Sequence, residues 1–248
     1  MFRYPKDEPL AAASFYDNGY VEGMTTELPL AERLGACARS GFAGTPKDLS
    51  RKIDLAQRLS AGRRLLDYGC SWGYGVFQFA RAGFDALGYE VSRTRARFGR
   101  ESLGVAVLES HSELKALPDA SFDVIFVNHV LEHLYDPRAA FQDWRRLLAR
   151  DGVLLIFVPN AGGENARKLG SRWGPMIGEK HPLAIDARFL ERALREHGFV
   201  PGFAALPYDD KLRLQADPGA PELAGDELLA VARPLRLTSA NLGSGGTS

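Results

Sequence analysis

From residue 64 onward, short apolar runs alternate with stretches of helical length, and few architectures accept that order. Residues 64–68, 84–89, 105–108, 122–127 and 153–158 read as strands, each four to six residues long and rich in aliphatic or aromatic side chains. Between them lie helix candidates: 76–80 closed by Gly83, a basic stretch 93–102 capped by Ser92, and 137–149 with Pro137 in its first turn. A further helix over 186–197 ends at Gly198, and two late strands follow around 199–206 and 227–234. Strands that alternate with helices of about 10–15 residues build a mostly parallel sheet with helices on both faces. Ligands of such sheets bind beyond the carboxyl ends of the strands, where strand order reverses. The loops after Tyr68, Tyr89, Leu108, Val127 and Val158 are therefore the ones to inspect.

The remaining chain bounds the possibilities. Residues 1–60 form an N-terminal helical cap and substrate segment, with helices expected over 28–38 and from Asp48 or Ser50 to about Leu59. Residues 61–237 form the main domain, and the Gly/Ser-rich tail 238–248 is expected to be disordered. Thirty-one basic residues balance 31 acidic ones, so the surface offers no general attraction for nucleic acid. Cys37 and Cys70 match no metal-ligand spacing. A secretory signal is not visible in residues 1–10, and no apolar run approaches the roughly 20 residues of a membrane span. A cytoplasmic protein acting on a small molecule follows as the expectation, with a homodimer left open.

Residues 65–75, Leu-Leu-Asp-Tyr-Gly-Cys-Ser-Trp-Gly-Tyr-Gly, are the most informative segment. Small residues after a buried strand let backbone approach a ligand, and the following helix presents free N–H groups. Glu90 closes the next strand, about 20 residues on, where a carboxylate can accept both hydroxyls of a ribose. Both features suit a dinucleotide or S-adenosylmethionine. The glycines fall at 69, 73 and 75 with Ser at 71, so the G-x-G-x-x-G fingerprint that wraps a pyrophosphate is missing. That argues against a nicotinamide-dependent dehydrogenase.

This segment resembles the first motif of class I S-adenosylmethionine-dependent methyltransferases, strand-Asp-x-Gly-Cys-Gly-x-Gly. Asp67, Gly69, Cys70 and Gly73 match it, while Ser71 replaces the middle glycine. The likeness continues through residues 84–92, 117–118, 121–125, 130–137, 146–148, 151–154, 158–160 and 227–233, in order over roughly 64–234. It implies a Rossmann-like, seven-stranded, mostly parallel α/β sheet whose last strand is antiparallel, with S-adenosyl-L-methionine as cofactor. Asp67, Gly69, Ser71 and Gly73 would then lie at the methionine end, with Cys70 also among the cofactor-binding residues, Glu90 on the ribose and Val91 on the adenine. Glu113 and Leu114 would meet the adenine edge, and the backbone of Asn128 the methionine ammonium. The N-terminal segment and residue pattern 70–75 are similar to enzymes of bacterial surface-polysaccharide clusters. The insert 160–185 and its following helix are similar to ubiquinone-type O-methyltransferases.

Residues 129–133 read H-x-x-E-H, an inverted zinc-peptidase signature that needs a long helix and a third ligand. Here it follows a strand directly and precedes Asp136-Pro137, so no metal is expected from it. Methyl transfer from a sulfonium depends largely on in-line placement, with a base of use to a hydroxyl acceptor. His129 and His181 are candidates for that base, as is the absence of any side-chain base. Tyr16, Tyr20, Arg172, Trp173 and Lys180 are candidates for lining the acceptor pocket beneath a lid formed by the insert. The reading is O-methylation of a sugar, sugar nucleotide or related metabolite. Its alternatives are N- or C-methylation of a natural-product or quinone-type acceptor, and a cofactor-binding module without turnover.

Overall fold

A computed structural model describes residues 28–177, 181–208 and 211–236. Among these, one sheet contains β1 (Arg64–Tyr68), β2 (Asp85–Tyr89), β3 (Val107–Leu108), β4 (Phe122–Asn128), β5 (Leu148–Pro159), β6 (Phe199–Ala205) and β7 (Glu227–Pro234). Their order is β3-β2-β1-β4-β5-β7-β6. β1 is parallel to both neighbours, with Leu66 beside Leu87 on one side and Ile125 on the other. β7 runs antiparallel to β5 and β6, as the resemblance implied. The helices are α1 (Ala31–Arg39), α2 (Ser50–Leu59), α3 (Tyr74–Arg81), α4 (Arg93–Phe98), α5 (His111–Ala116), α6 (Pro137–Leu147), α7 (Glu164–Leu169), α8 (Gly174–Ile177) and α9 (Ala187–Glu196).

Strand side chains alternate between two cores, because successive residues of a strand face opposite sides. Val124 and Phe126 of β4 pack with Leu55 and Ala56 of α2 and Phe79 of α3. Ile125 and Val127 pack on the other face with Trp144 and Leu147 of α6 and Leu190 and Leu194 of α9. A strand covered on both faces reads as a continuous apolar run, which is why residues 122–127 show no polar alternation. α6 starts where Asp136 accepts the Arg138 amide and Pro137 fills the first turn. α9 starts where Asp186 accepts the amide of Phe189 at 2.8 Å.

Four local expectations need correction. α4 ends at Phe98, and a wider π turn, Gly99–Leu103, carries the chain to Gly104 at φ +66°, so β3 keeps only two residues. β5 starts at Leu148 instead of 153, because α6 ends at Leu147 and Leu148 is already extended at φ −78°, ψ 130°. Ser92 occupies the start of α4 without a side-chain cap; its amide is instead bound by Glu90 Oε1 at 2.8 Å. Leu49, not Asp48 or Ser50, is the cap residue of α2, although Asp48 Oδ1 accepts the Ser50 amide at 2.9 Å. The tail 238–248 lies outside the described residues. Among those described, no helix is long and apolar enough to cross a membrane.

Trp144 is fully buried, with ring centroids 5.0 Å from Phe141 and 5.3 Å from Tyr68. Trp144→Ala is expected to cost about 3–5 kcal/mol in chemical denaturation; a loss below about 1 kcal/mol would contradict this packing.

Candidate active site

Sheet order reverses beside β1, so the loops after β1 and β4 leave in different directions and open a cleft between them. The turn after β1 holds three residues in the left-handed region: Gly69 (φ +77°), Ser71 (φ +53°) and Gly73 (φ +81°). A side chain at 69 would also meet Val130 Cγ2 at 2.4 Å, so this turn packs against the loop following β4. The amides of Gly69 and Cys70 both donate to the Tyr89 carbonyl, at 2.7 and 3.0 Å, tying the turn to the end of β2.

Ser71 stands where the methyltransferase motif has glycine, and a non-glycine residue held there costs of order 1–3 kcal/mol. Its neighbours hold it in place. The Ser71 amide donates to Glu90 Oε2 at 2.9 Å, and Arg95 Nη1 donates to Ser71 Oγ at 3.4 Å. Glu90 thus receives one amide on each oxygen, and every carboxylate oxygen retains a further lone pair for a ligand hydroxyl. Burial pushes the Glu90 carboxyl up, opposed by the Ser92 amide and the Arg95 charge. Asp67, also buried, is pushed up to about 7 by desolvation and by the nearby Glu90 charge. Its room depends on Gly75, where a Cβ would lie 2.3 Å from Asp67 Oδ2. Glu90, Asp67 and the turn amides could together hold a ribose and an amino-acid moiety.

Other expected cofactor contacts fare differently. Val91 is half exposed beside Glu90, open to a ring. Cys70 is buried among Val76, Ala96 and Val107, and burial raises its thiol, so it packs the turn from behind. Leu114 is fully buried in the core and presents no surface to a ligand. Glu113 forms a reciprocal capping box with Ser110 at the start of α5 and also accepts the Glu109 amide at 2.9 Å. Its carboxylate therefore serves the helix end, which is why the adenine role does not suit it.

A second polar cluster occupies the tips of β4 and β7. Lys52 Nζ, reaching from α2, donates to Asn128 Oδ1 at 2.7 Å and Glu227 Oε2 at 2.6 Å. Tyr208 donates to Glu227 Oε1 at 2.7 Å. His129 lies 2.7 Å from Glu227 Oε2 through Nε2 and 3.3 Å from Glu132 Oε1 through Nδ1. Burial opposes a charge on this ring, but the Glu132 and Glu227 carboxylates outweigh it and push His129 up to about 9. Glu227 falls to about 2: desolvation works against its charge, and His129 and Lys52 overcome it. An imidazolium with a carboxylate on each nitrogen is a poor proton acceptor, so His129 does not fit the base role expected of it. Its backbone sits at φ +54°, a strained conformation retained at the strand tip.

The insert differs from the expected lining too. Trp173 is buried, Arg172 is exposed, and Lys180, Tyr16 and Tyr20 lie outside the described residues. His181 is buried against His133, their ring centroids 4.5 Å apart. Lys52, Tyr208, Glu227 and Arg95 escaped the sequence reading. Lys52 and Arg95 look like ordinary helix-surface cations, and Glu227 lies 98 positions from the histidine it binds.

Fold and cleft together are those of a doubly wound α/β domain with a ligand cleft at the switch point of its sheet. Residues 43–201 match the family described as "Methyltransferase domain", and the chain belongs to that family, of the class I S-adenosylmethionine-dependent kind. It is 35% identical over 111 residues to a Mycolicibacterium smegmatis protein named "Probable S-adenosylmethionine-dependent methyltransferase", covering 43% of this chain and 41% of that one. The chain thus spans about two-fifths of that relative. A ubiquinone biosynthesis O-methyltransferase of Methylococcus capsulatus is 29% identical over 67% of this chain and 66% of its own. The fold is shared with a Thermotoga maritima crystal structure of a SAM-dependent methyltransferase, at TM-score 0.56 and 18% identity over 82% of this chain and 93% of that one.

The His129–Glu227 pair makes stability depend on pH. A histidine raised from 6.5 to about 9 stabilises fully below pH 6.5 and loses that contribution as pH rises through 9. A carboxylate depressed from 4.5 to about 2 stabilises above pH 4.5 and loses it as pH falls through 2. The melting temperature gap between wild type and Glu227→Gln is expected to be widest between pH 4.5 and 6.5 and to shrink above pH 9. A gap that is the same at pH 6 and pH 9.5 would refute the pairing.

Proposed function

We propose that this chain transfers the methyl group of S-adenosylmethionine to a hydroxyl of a small, polar acceptor of the sugar or sugar-nucleotide class. Glu90 takes the ribose hydroxyls, the Gly69–Gly73 turn and Asp67 take the methionine end, and Val91 covers the adenine. The observation that carries the reading is the contact between the two clusters. The turn at Gly69 packs on Val130, and its neighbour His129 opens the Lys52–Glu227–Tyr208 array. A cofactor held at the turn would present its methyl group toward that array, whose donors and carboxylates suit a hydroxylated acceptor better than an apolar one.

Chemistry at such a site is mainly placement. The sulfonium is an activated donor, and holding the acceptor oxygen in line accounts for much of the acceleration. As methyl transfers, the acceptor hydroxyl loses its proton. Neither ring nitrogen of His129 is open to take it, so the proton leaves to water or to a carboxylate of the array. The O-methyl reading also draws support from the Methylococcus relative, which is named an O-methyltransferase.

Two tests address this reading. S-adenosylmethionine carries a sulfonium charge that S-adenosylhomocysteine lacks, and Asp67 gains its own charge as pH passes about 7. Calorimetric affinity for S-adenosylmethionine should therefore rise between pH 6 and 8 more steeply than for S-adenosylhomocysteine, and Asp67→Asn should flatten the difference. Parallel profiles for the two ligands would remove Asp67 from the methionine end. In the second test, the protein is incubated with S-adenosylmethionine and panels of sugars, sugar nucleotides, phenols and amines. S-adenosylhomocysteine formed only with hydroxylated sugars supports the proposal. Turnover confined to amines replaces it with N-methylation, and cofactor binding with no turnover at all leaves a binding module.

A further inference from the structure

We propose that Glu132, His133 and His181 form a site for a divalent transition-metal ion of the zinc class, joining the loop after β4 to the insert that leads into α9. One donor atom from each residue lies within 4.8 Å of the others. Metal–ligand bonds of about 2.0–2.2 Å at tetrahedral angles put ligand atoms roughly 3.3–3.6 Å apart, so binding draws the three donors together by up to about 1.5 Å, a shift that side-chain rotation can supply. The imidazole rings of His133 and His181 meet at 69°, edge toward face, with centroids 4.5 Å apart.

Glu132 supplies the second, independent observation. It is only 2 % exposed, and neither carboxylate oxygen accepts a hydrogen bond among the described residues. A buried carboxylate in that condition is costly unless a cation compensates it. His129 makes an ion-pair contact with Oε1 at 3.3 Å, while Oε2 has no hydrogen-bond partner among the described residues. One carboxylate and two imidazoles are a donor set of zinc sites and of related nitrogen-preferring ions; magnesium and calcium prefer oxygen.

The local backbone explains why the ligands come from these positions. Leu131–His133 is a single 3₁₀ turn, so the H-x-x-E-H segment is no peptidase helix. His129, at φ +54°, pairs with Glu227, and His181 from the insert lies against His133 instead. The Leu183 amide donates to the Glu132 carbonyl at 3.4 Å, already clasping the insert to this turn. Three protein ligands leave a coordination position open for water or another oxygen. The inference does not depend on the identity of the methyl acceptor.

The test uses the full chain after treatment with a chelator. Titration with Co²⁺ should produce visible d–d absorption that saturates at one ion per chain, displaced by Zn²⁺, and Zn²⁺ should raise the melting temperature. His181→Gln and His133→Gln should weaken the ion by about tenfold or more while S-adenosylmethionine affinity is retained. Glu132→Gln should do the same; if it fails to fold, the two histidine variants carry the comparison. A wild-type protein that binds S-adenosylmethionine yet shows neither stoichiometric Co²⁺ absorption nor a Zn²⁺ shift overturns the site. So does a His181→Gln protein with wild-type metal affinity.

Discussion

Everything functional in this molecule depends on β1 having parallel partners on both edges. Pairing Leu66 with Leu87 and with Ile125 at the same level makes β1 the point from which the chain winds outward in both directions. The loops after β1 and β4 therefore diverge at their carboxyl ends, leaving room for a nucleoside between them. The strands at this point carry no charge in their middles, because both faces are covered by helices. Polar chemistry is consequently driven to the strand tips.

At those tips, charge is arranged in two systems with opposite consequences. Around the cofactor turn, Asp67 and Glu90 share a buried space, and desolvation, with the like charge of Glu90 added, raises Asp67 toward neutrality. A cationic ligand would relieve that repulsion. Around β4 and β7, Lys52 and His129 face Glu227 and Glu132, and each sign has its partner. The second system is largely self-satisfied. It is better suited to holding a shape and presenting hydrogen-bonding groups than to exchanging protons, and this argues for methyl transfer by positioning.

Strain marks the same two places. Ser71 and His129 both occupy the left-handed region, one in each loop that flanks the cleft. Ser71 is held by Glu90 and Arg95, and His129 by Glu227 and Glu132. In each case a buried carboxylate fixes a backbone geometry that the residue would not adopt alone. Removing either carboxylate releases a loop as well as a charge.

The alternation of strands and helices, the small-residue turn and the acid ending β2 were all legible in the residues, because each is written in a contiguous segment with its own period or spacing. Asp67, the turn glycines, Ser71 and Glu90 fall where the linear pattern puts them. Elements with weak local signals were less readable: β3 lost half its expected length to a π turn, and β5 began before the Asp151-Gly152 turn signal. Side-chain duties were hidden most of all. Glu113 became a helix cap and Leu114 core, while His129 was bound on both nitrogens by carboxylates, one of them from the last strand. Local sequence determines period, turn chemistry and strand order's first half. Which distant charges share a partner, and hence which histidine is a cation, is settled only when Lys52, His129, Glu132 and Glu227 are brought together, since Coulomb and hydrogen-bond energies depend on distances through space and not along the chain.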